Sequence, residues 1–196
     1  VGLFASVGEC YLGDPLLDPV FDELNRRAAV VFLHPTHCEA PARTRLRAPP
    51  FVVEYVFDTT RAIVNLIYSG TLKRCPNIRL IVAHGGGAAP FLAQRIAMME
   101  GHRGARGVTD VIPSLRALYY EIASTTSAFA LRSLQELVDP SRVLWGSDLP
   151  FVYGERLREE VEHWELYNGF DTADRAAVEE LNALKLFPRF AAAGAE

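Results

Sequence analysis

From residue 78 onward the chain reads Ile78-Arg79-Leu80-Ile81-Val82-Ala83-His84-Gly85-Gly86-Gly87. A short apolar run rich in β-branched residues ends here in a histidine and three glycines, which is the pattern of a buried strand followed by a tight turn. Two similar runs end at His34 and shortly before Asp148. A parallel barrel gathers the C-terminal ends of its strands at one mouth. The three strand ends therefore predict a single site built from residues far apart in the chain.

Strand and helix signals alternate along the sequence. Apolar runs of strand length, bounded by Gly, Pro, Asp or Asn, occur at about residues 1–6, 29–34, 78–84, 118–123 and 142–147. Their near-continuous apolarity is typical of strands buried on both faces. Helical patterns fall between them, at 18–28, from Val52 to the stop signal Gly70, from Pro90 onward, and at 128–138, 155–168 and 172–186.

This alternation predicts an α/β fold with a mostly parallel sheet, either doubly wound or closed as a (β/α)₈ barrel. The sequence holds no GxGxxG, GxxxxGK[ST] or HExxH motif, and its polar groups follow several strands rather than one, which favours the barrel. A whole barrel has eight strands in about 250 residues. The five strand runs therefore predict a partial barrel: one domain over residues 1–190, without its N-terminal strands, followed by a tail at 191–196.

Composition narrows the class of partner. The formal charge of −4 and the pI near 5.8 argue against binding to nucleic acid or to an anionic membrane, and favour a small molecule. No apolar stretch approaches the roughly 18 residues of a membrane span. Three cysteines without a CxxC pair do not describe a disulfide framework. We therefore expect reduced cysteines and a cytoplasmic location.

Three side chains are candidates for chemistry, and each has a plainer alternative. His34 offers a neutral imidazole to a metal, or hydrogen-bonds the loop beneath it. His84 precedes glycines that let a ligand approach the backbone and suits general acid-base work, or it caps the turn. Asp148 suits metal binding or proton transfer, or it caps a helix.

Other side chains near these strand ends are weaker candidates. His37 is a candidate for the pocket wall only. Three arginines of the following loop offer charge to an acidic substrate, with solvated surface as the alternative: Arg43, Arg45 and Arg47. Three aromatic residues are candidates for a slot at the mouth, with core packing as the alternative: Phe51, Phe151 and Tyr153.

Five stretches in order carry a family resemblance. They are Tyr11-Leu12-Gly13-Asp14-Pro15, Phe32-Leu33-His34-Pro35, Ala83-His84-Gly85-Gly86-Gly87 with Pro90 and Arg95 beyond, Trp145-Gly146-Ser147-Asp148-Leu149-Pro150, and Asn182-Ala183-Leu184-Lys185-Leu186-Phe187. With them the chain resembles the amidohydrolase-related superfamily, in the branch of aminocarboxymuconate-semialdehyde decarboxylase and its relatives that act on salicylate-type aromatic acids.

The resemblance implies a metal-dependent barrel. His34 and Asp148 would be ligands of a divalent ion, usually zinc, and His84 the nearby acid-base group, with Asp148 also a catalytic candidate. In that family a His-x-His or Glu-x-His pair on the first strand adds two ligands, and none of the five strand runs has such a pair. His34 and Asp148 alone fall short of the three protein ligands typical of a catalytic zinc site. The resemblance therefore implies that this chain is a C-terminal portion of a longer enzyme and is inactive or impaired by itself.

For the complete enzyme, the resemblance implies non-oxidative decarboxylation of an aromatic or conjugated carboxylic acid. Hydrolysis by a metal-dependent hydrolase of the same superfamily is one alternative, with Asp148 or His84 managing the proton of the attacking water. A non-catalytic remnant or partner-binding module is the other, because open strand edges call for a covering partner. Relatives are often dimers, so a homodimer also stays open.

Overall fold

The computed structural model describes residues 1–36, 47–102 and 108–194. These residues contain seven short strands, which are β1 (Gly2–Phe4), β2 (Ser6–Val7), β3 (Cys10–Tyr11), β4 (Val30–His34), β5 (Arg79–Val82), β6 (Tyr119–Glu121) and β7 (Val143–Leu144). Five of them form one sheet in the order β1-β4-β5-β6-β7, and every neighbouring pair is parallel. The remaining two, β2 and β3, form an antiparallel hairpin. The predicted parallel sheet of five strands is confirmed.

Helices connect the strands. Within the described ranges they are α1 (Asp18–Arg26), α2 (Pro50–Tyr68), α3 (Thr71–Arg74), α4 (Ala89–Met98), α5 (Val111–Ala117), α6 (Ala128–Leu137), α7 (Glu155–Leu166), α8 (Thr172–Ala176) and α9 (Asn182–Leu186). A π-helical turn, Ala177–Leu181, joins α8 to α9. None of these described helices combines the length and the apolarity that crossing a membrane requires.

Three elements differ from the sequence prediction. The hairpin of β2 and β3 has two residues in each strand, too few to show the alternation that identifies a strand. The helix α3 spans a single turn. The helix α5 carries Pro113 in its first turn, where proline is tolerated because the amide of that turn needs no helical partner, but where it obscures the helical pattern.

The sheet has two differently packed faces. On one face, alternate strand residues such as Val31, Leu33 and Val82 join the main core with α2 and α6. On the other face, Ile81 and Leu144 pack against residues from the C-terminal helix α9. Because side chains alternate along a strand, His34 and Phe32 lie on this second face. The site is therefore separated by the sheet from most of the core.

Truncation of the core side chain Leu66 should destabilise the fold strongly. Leu66 is fully buried in α2, so Leu66→Ala should lower the free energy of unfolding by about 2–5 kcal/mol, through lost burial and the cavity left behind. The matched control is Leu166→Ala in α7, because Leu166 is 82% exposed and its loss should change stability by less than about 0.5 kcal/mol. Urea unfolding measures both, and equal effects would contradict this packing.

Candidate active site

The site lies at one edge of the parallel sheet. Strand β4 ends at His34, and its Leu33 pairs in register with Val82 of β5, which places His84 just beyond the same edge. Strand β7 ends at Leu144 and leads into the segment that carries Asp148. Residues from three separate strand ends therefore meet here.

The structure brings together the three residues that the sequence singled out. His34 Nε2 lies 3.7 Å from Asp148 Oδ1, and His84 Nε2 lies 3.7 Å from Asp148 Oδ2. The two imidazole rings are 5.3 Å apart between centroids, in an edge-to-face arrangement. One potential ligand atom from each residue falls within 4.8 Å of the others. The geometry is that of a cluster able to surround one small cation.

The two imidazoles differ in their surroundings. His34 Nδ1 lies 2.8 Å from the carbonyl oxygen of Pro35, which accepts a hydrogen bond when Nδ1 carries the proton and leaves the Nε2 lone pair facing Asp148. His84 is 7% exposed, and no described residue hydrogen-bonds its Nδ1. A buried ring nitrogen without a partner is energetically costly, and Nδ1 of His84 is such an atom.

Burial also sets the protonation of His84. Loss of water lowers the pKa of its imidazole below the ordinary value, and the neighbouring His34 lowers it further, while the Asp148 carboxylate opposes both. The net shift is downward, so the neutral form is favoured near neutral pH. A neutral imidazole is the form that binds metals.

The backbone at the site is strained. His84 has φ of +54° and Asp148 has φ of +53°, both in the left-handed region that side chains with a Cβ rarely adopt. Such a conformation costs on the order of 1–3 kcal/mol and persists only where surrounding contacts hold it. The two residues that carry the strain are two of the three that form the cluster.

Two buried carboxylates support the site, and neither is among the site residues predicted from the sequence. Glu121, at the end of β6, accepts hydrogen bonds from the backbone amides of His84 (3.1 Å) and Ala123 (2.7 Å). Burial raises the pKa of Glu121 to about 7, although these two hydrogen bonds pull the other way. The available signal was an acidic residue inside the apolar run 118–123.

The second carboxylate is Asp58 of α2, which has no exposed surface. It accepts the Tyr11 hydroxyl at 2.9 Å and the Thr36 backbone amide at 3.0 Å. Thr36 follows Pro35, so Asp58 ties the turn after His34 to α2. Its position on the buried face of a long amphipathic helix gave the sequence analysis no chemical signal.

A cavity of about 480 Å³ opens over the cluster. Aromatic and polar side chains line it, among them Phe32, Trp145, Phe151, His34, His84 and Asp148. Of the predicted aromatic slot, Phe151 lines the cavity, whereas Phe51 and Tyr153 are exposed and are not among its lining residues. The predicted loop candidates His37, Arg43 and Arg45 lie outside the described residues, and Arg47 is exposed.

Known proteins are similar to this sequence over nearly its whole length. The chain matches the amidohydrolase family over residues 1–189. The decarboxylase yanB of Aspergillus niger is 33% identical over 193 residues, which cover 93% of this chain and 52% of the relative. The 6-methylsalicylic acid decarboxylase of Penicillium expansum is 32% identical over 188 residues, covering 93% of this chain and 57% of the relative. The chain thus spans little more than half the length of these relatives.

A relative from the predicted branch is also similar. The 2-amino-3-carboxymuconate-6-semialdehyde decarboxylase of Dictyostelium discoideum is 31% identical over 149 residues, which cover 74% of this chain and 41% of the relative. The predicted resemblance to this branch is confirmed.

Solved structures share the fold. An amidohydrolase II structure superposes with a TM-score of 0.85 at 26% identity, covering 96% of this chain and 61% of that protein. The 5-carboxyvanillate decarboxylase of Novosphingobium aromaticivorans, complexed with manganese and 4-hydroxy-3-methoxy-5-nitrobenzoic acid, gives a TM-score of 0.81 at 18% identity, with 96% and 56% coverage. The five-stranded sheet corresponds to part of a barrel, as predicted. With this fold and the sequence match over residues 1–189, the chain belongs to the amidohydrolase family.

Proposed function

We propose that this protein acts as a metal-dependent, non-oxidative decarboxylase of an aromatic or conjugated carboxylic acid. The observation that carries the proposal is the cluster of His34, His84 and Asp148 beneath an aromatic-lined cavity. The similarity of the chain to relatives named as decarboxylases, among them one for 6-methylsalicylic acid, supports the choice of reaction. In this proposal His34 and Asp148 hold the ion, and His84 handles the proton.

The cluster fits a divalent cation. Imidazole nitrogen and carboxylate oxygen are ligands for zinc, and both also bind manganese. The separations of 3.7 Å between each imidazole nitrogen and Asp148 are too long for a hydrogen bond. For His34 and Asp148, the proposed ligands, this separation is close to the roughly 3.4 Å between two tetrahedral ligands of one ion. Zinc is the ion that the family resemblance favours, and manganese accompanies the 5-carboxyvanillate decarboxylase.

The side chains of this site suit protonation of a ring carbon. An ion held by His34 and Asp148 would supply positive charge to bind the substrate carboxylate or a neighbouring oxygen and to stabilise negative charge on the ring. When the carbon–carboxyl bond breaks, carbon dioxide leaves and the electron pair stays on the ring carbon. His84 Nε2 delivers the proton that this carbon takes up. Its lowered pKa makes the imidazolium a stronger acid, although it reduces the protonated fraction at neutral pH.

The cavity wall suits an aromatic substrate. Phe32 and Trp145 line the cavity, and offset or edge-to-face contacts of their rings with a flat aromatic substrate would be favourable. Packing of this kind also keeps water away from the ring carbon during proton transfer. These side chains therefore orient the substrate above His84.

Hydrolysis is the second candidate, because the matching family is described as amidohydrolase. Asp148 and His84 lie close enough to share the proton of an attacking water. The relatives named as decarboxylases make decarboxylation our first proposal.

A cytoplasmic location, a homodimer and the domain bounds at residues 1–190 stay predictions.

Removal of a ligand should abolish metal binding. We expect His34→Ala and Asp148→Ala each to lose bound zinc or manganese, because each substitution removes one proposed ligand of the ion. Elemental analysis of the purified protein after dialysis against either metal measures this. The matched control is His163→Ala, since His163 is exposed on α7 and should leave metal content unchanged. Unchanged metal content in both ligand variants would refute the assignment.

Replacement of His84 should reduce turnover strongly and metal binding little. The natural gene product, including any sequence that precedes Val1, should release carbon dioxide from at least one member of a panel of hydroxybenzoates. His84→Ala should lower kcat by about 100-fold or more, through loss of the proton donor, while leaving metal content largely unchanged. Gas-phase detection of labelled carbon dioxide measures this. Parallel loss of metal would make His84 a ligand, and hydrolysis of an ester panel without carbon dioxide release would favour the hydrolase.

A further inference from the structure

We propose that Glu121 is a positioning residue of this site, whose carboxylate holds the backbone of His84 and thereby sets the direction of its imidazole. The inference rests on the proposed function, because it assigns a task to the proton-handling His84. Glu121 touches none of the reacting atoms in this account and acts through His84.

The first observation is how Glu121 is bonded. Glu121 is the last residue of β6 and is 8% exposed. Oε2 accepts the amide of His84, and Oε1 accepts the amide of Ala123. Each oxygen therefore binds one backbone amide, one just beyond the end of β5 and one just beyond β6. Both amides thus share one buried acceptor group, and the two hydrogen bonds are strongest when that group is ionised.

The second observation concerns Gly146, which follows β7. A Cβ added at Gly146 would lie 1.8 Å from Glu121 Oε1, a separation that no side chain can adopt. The absence of a side chain at this position leaves the space that the carboxylate fills. One carboxylate thus contacts the segments that follow three strands, and Gly146 precedes Asp148 by two residues.

The third observation is the strain at His84. Its left-handed φ of +54° turns the imidazole toward Asp148, and a residue with a Cβ does not hold this conformation without support. The preceding amide, of Ala83, still donates to the strand carbonyl of Leu33. The His84 amide donates to Glu121 instead. The bond to Glu121 is therefore made where the backbone leaves the strand and enters the strained turn.

Three variants of the natural gene product and one control variant test this proposal by kinetics. We expect Glu121→Gln to lower kcat by about 10- to 100-fold, the range typical when a residue that supports the ligands of a metal site is changed. The glutamine side chain keeps one acceptor oxygen, but its NH₂ group faces one of the two backbone amide donors. KM and metal content should stay near those of the unaltered protein. Glu121→Asp, which keeps a carboxylate, should retain more of kcat than Glu121→Gln. Gly146→Ala should resemble Glu121→Gln, since its methyl group displaces the carboxylate.

The control separates positioning from general stability. Tyr120→Phe removes a buried hydrogen bond to the Leu115 carbonyl from the adjacent residue, which faces the main core. It should lower the Tm without lowering kcat. If Glu121→Gln and Gly146→Ala lose stability as Tyr120→Phe does and retain kcat, the positioning role is refuted.

A crystal structure of Glu121→Ala tests the same role without any turnover. We expect His84 to leave the left-handed region and its imidazole to move away from Asp148. An unmoved His84 would overturn the positioning role. Absence of carbon dioxide release by the unaltered protein, with a displaced His84 in the variant, would instead refute the proposed function alone.

Discussion

Parallel pairing between β4, β5, β6 and β7 is the constraint on which the rest of the structure depends. Because all four strands run in one direction, their C-terminal ends lie at one edge of the sheet. His34 and His84 reach that edge from neighbouring strands, and Asp148 reaches it from β7. A reversed strand would send its side chain to the opposite edge. The cluster therefore follows from strand direction before any side-chain contact is considered.

The two faces of the sheet have different roles: one packs into the main core, and the other carries the candidate site. Apolar residues on one face pack with the helices into the main core, and this packing holds the sheet in place. The strained residues His84 and Asp148 lie where the strands end, beyond that core. Buried carboxylates at Glu121 and Asp58 connect the two regions through backbone amides. The fold thereby offsets local strain at the site with hydrogen bonds that originate in well-packed elements.

Sequence patterns predicted much of this arrangement because they report local periodicity. The five parallel strands and the convergence of His34, His84 and Asp148 follow from apolar runs that end in polar groups. Glu121 and Asp58 were not assigned, since their function depends on backbone amides that only the folded chain brings near. The cavity wall shows the same limit: Phe32 lies within a strand, and only register and alternation reveal that it faces the cavity.

The proposed function requires that His34 and Asp148 bind one metal ion at this edge of the sheet. Anomalous diffraction from crystals of the natural gene product grown with manganese, collected on both sides of the manganese edge, tests it most directly. We expect one strong anomalous peak within coordination distance of His34 Nε2 and an Asp148 carboxylate oxygen. A manganese peak bound elsewhere, with none between these two residues, would contradict it.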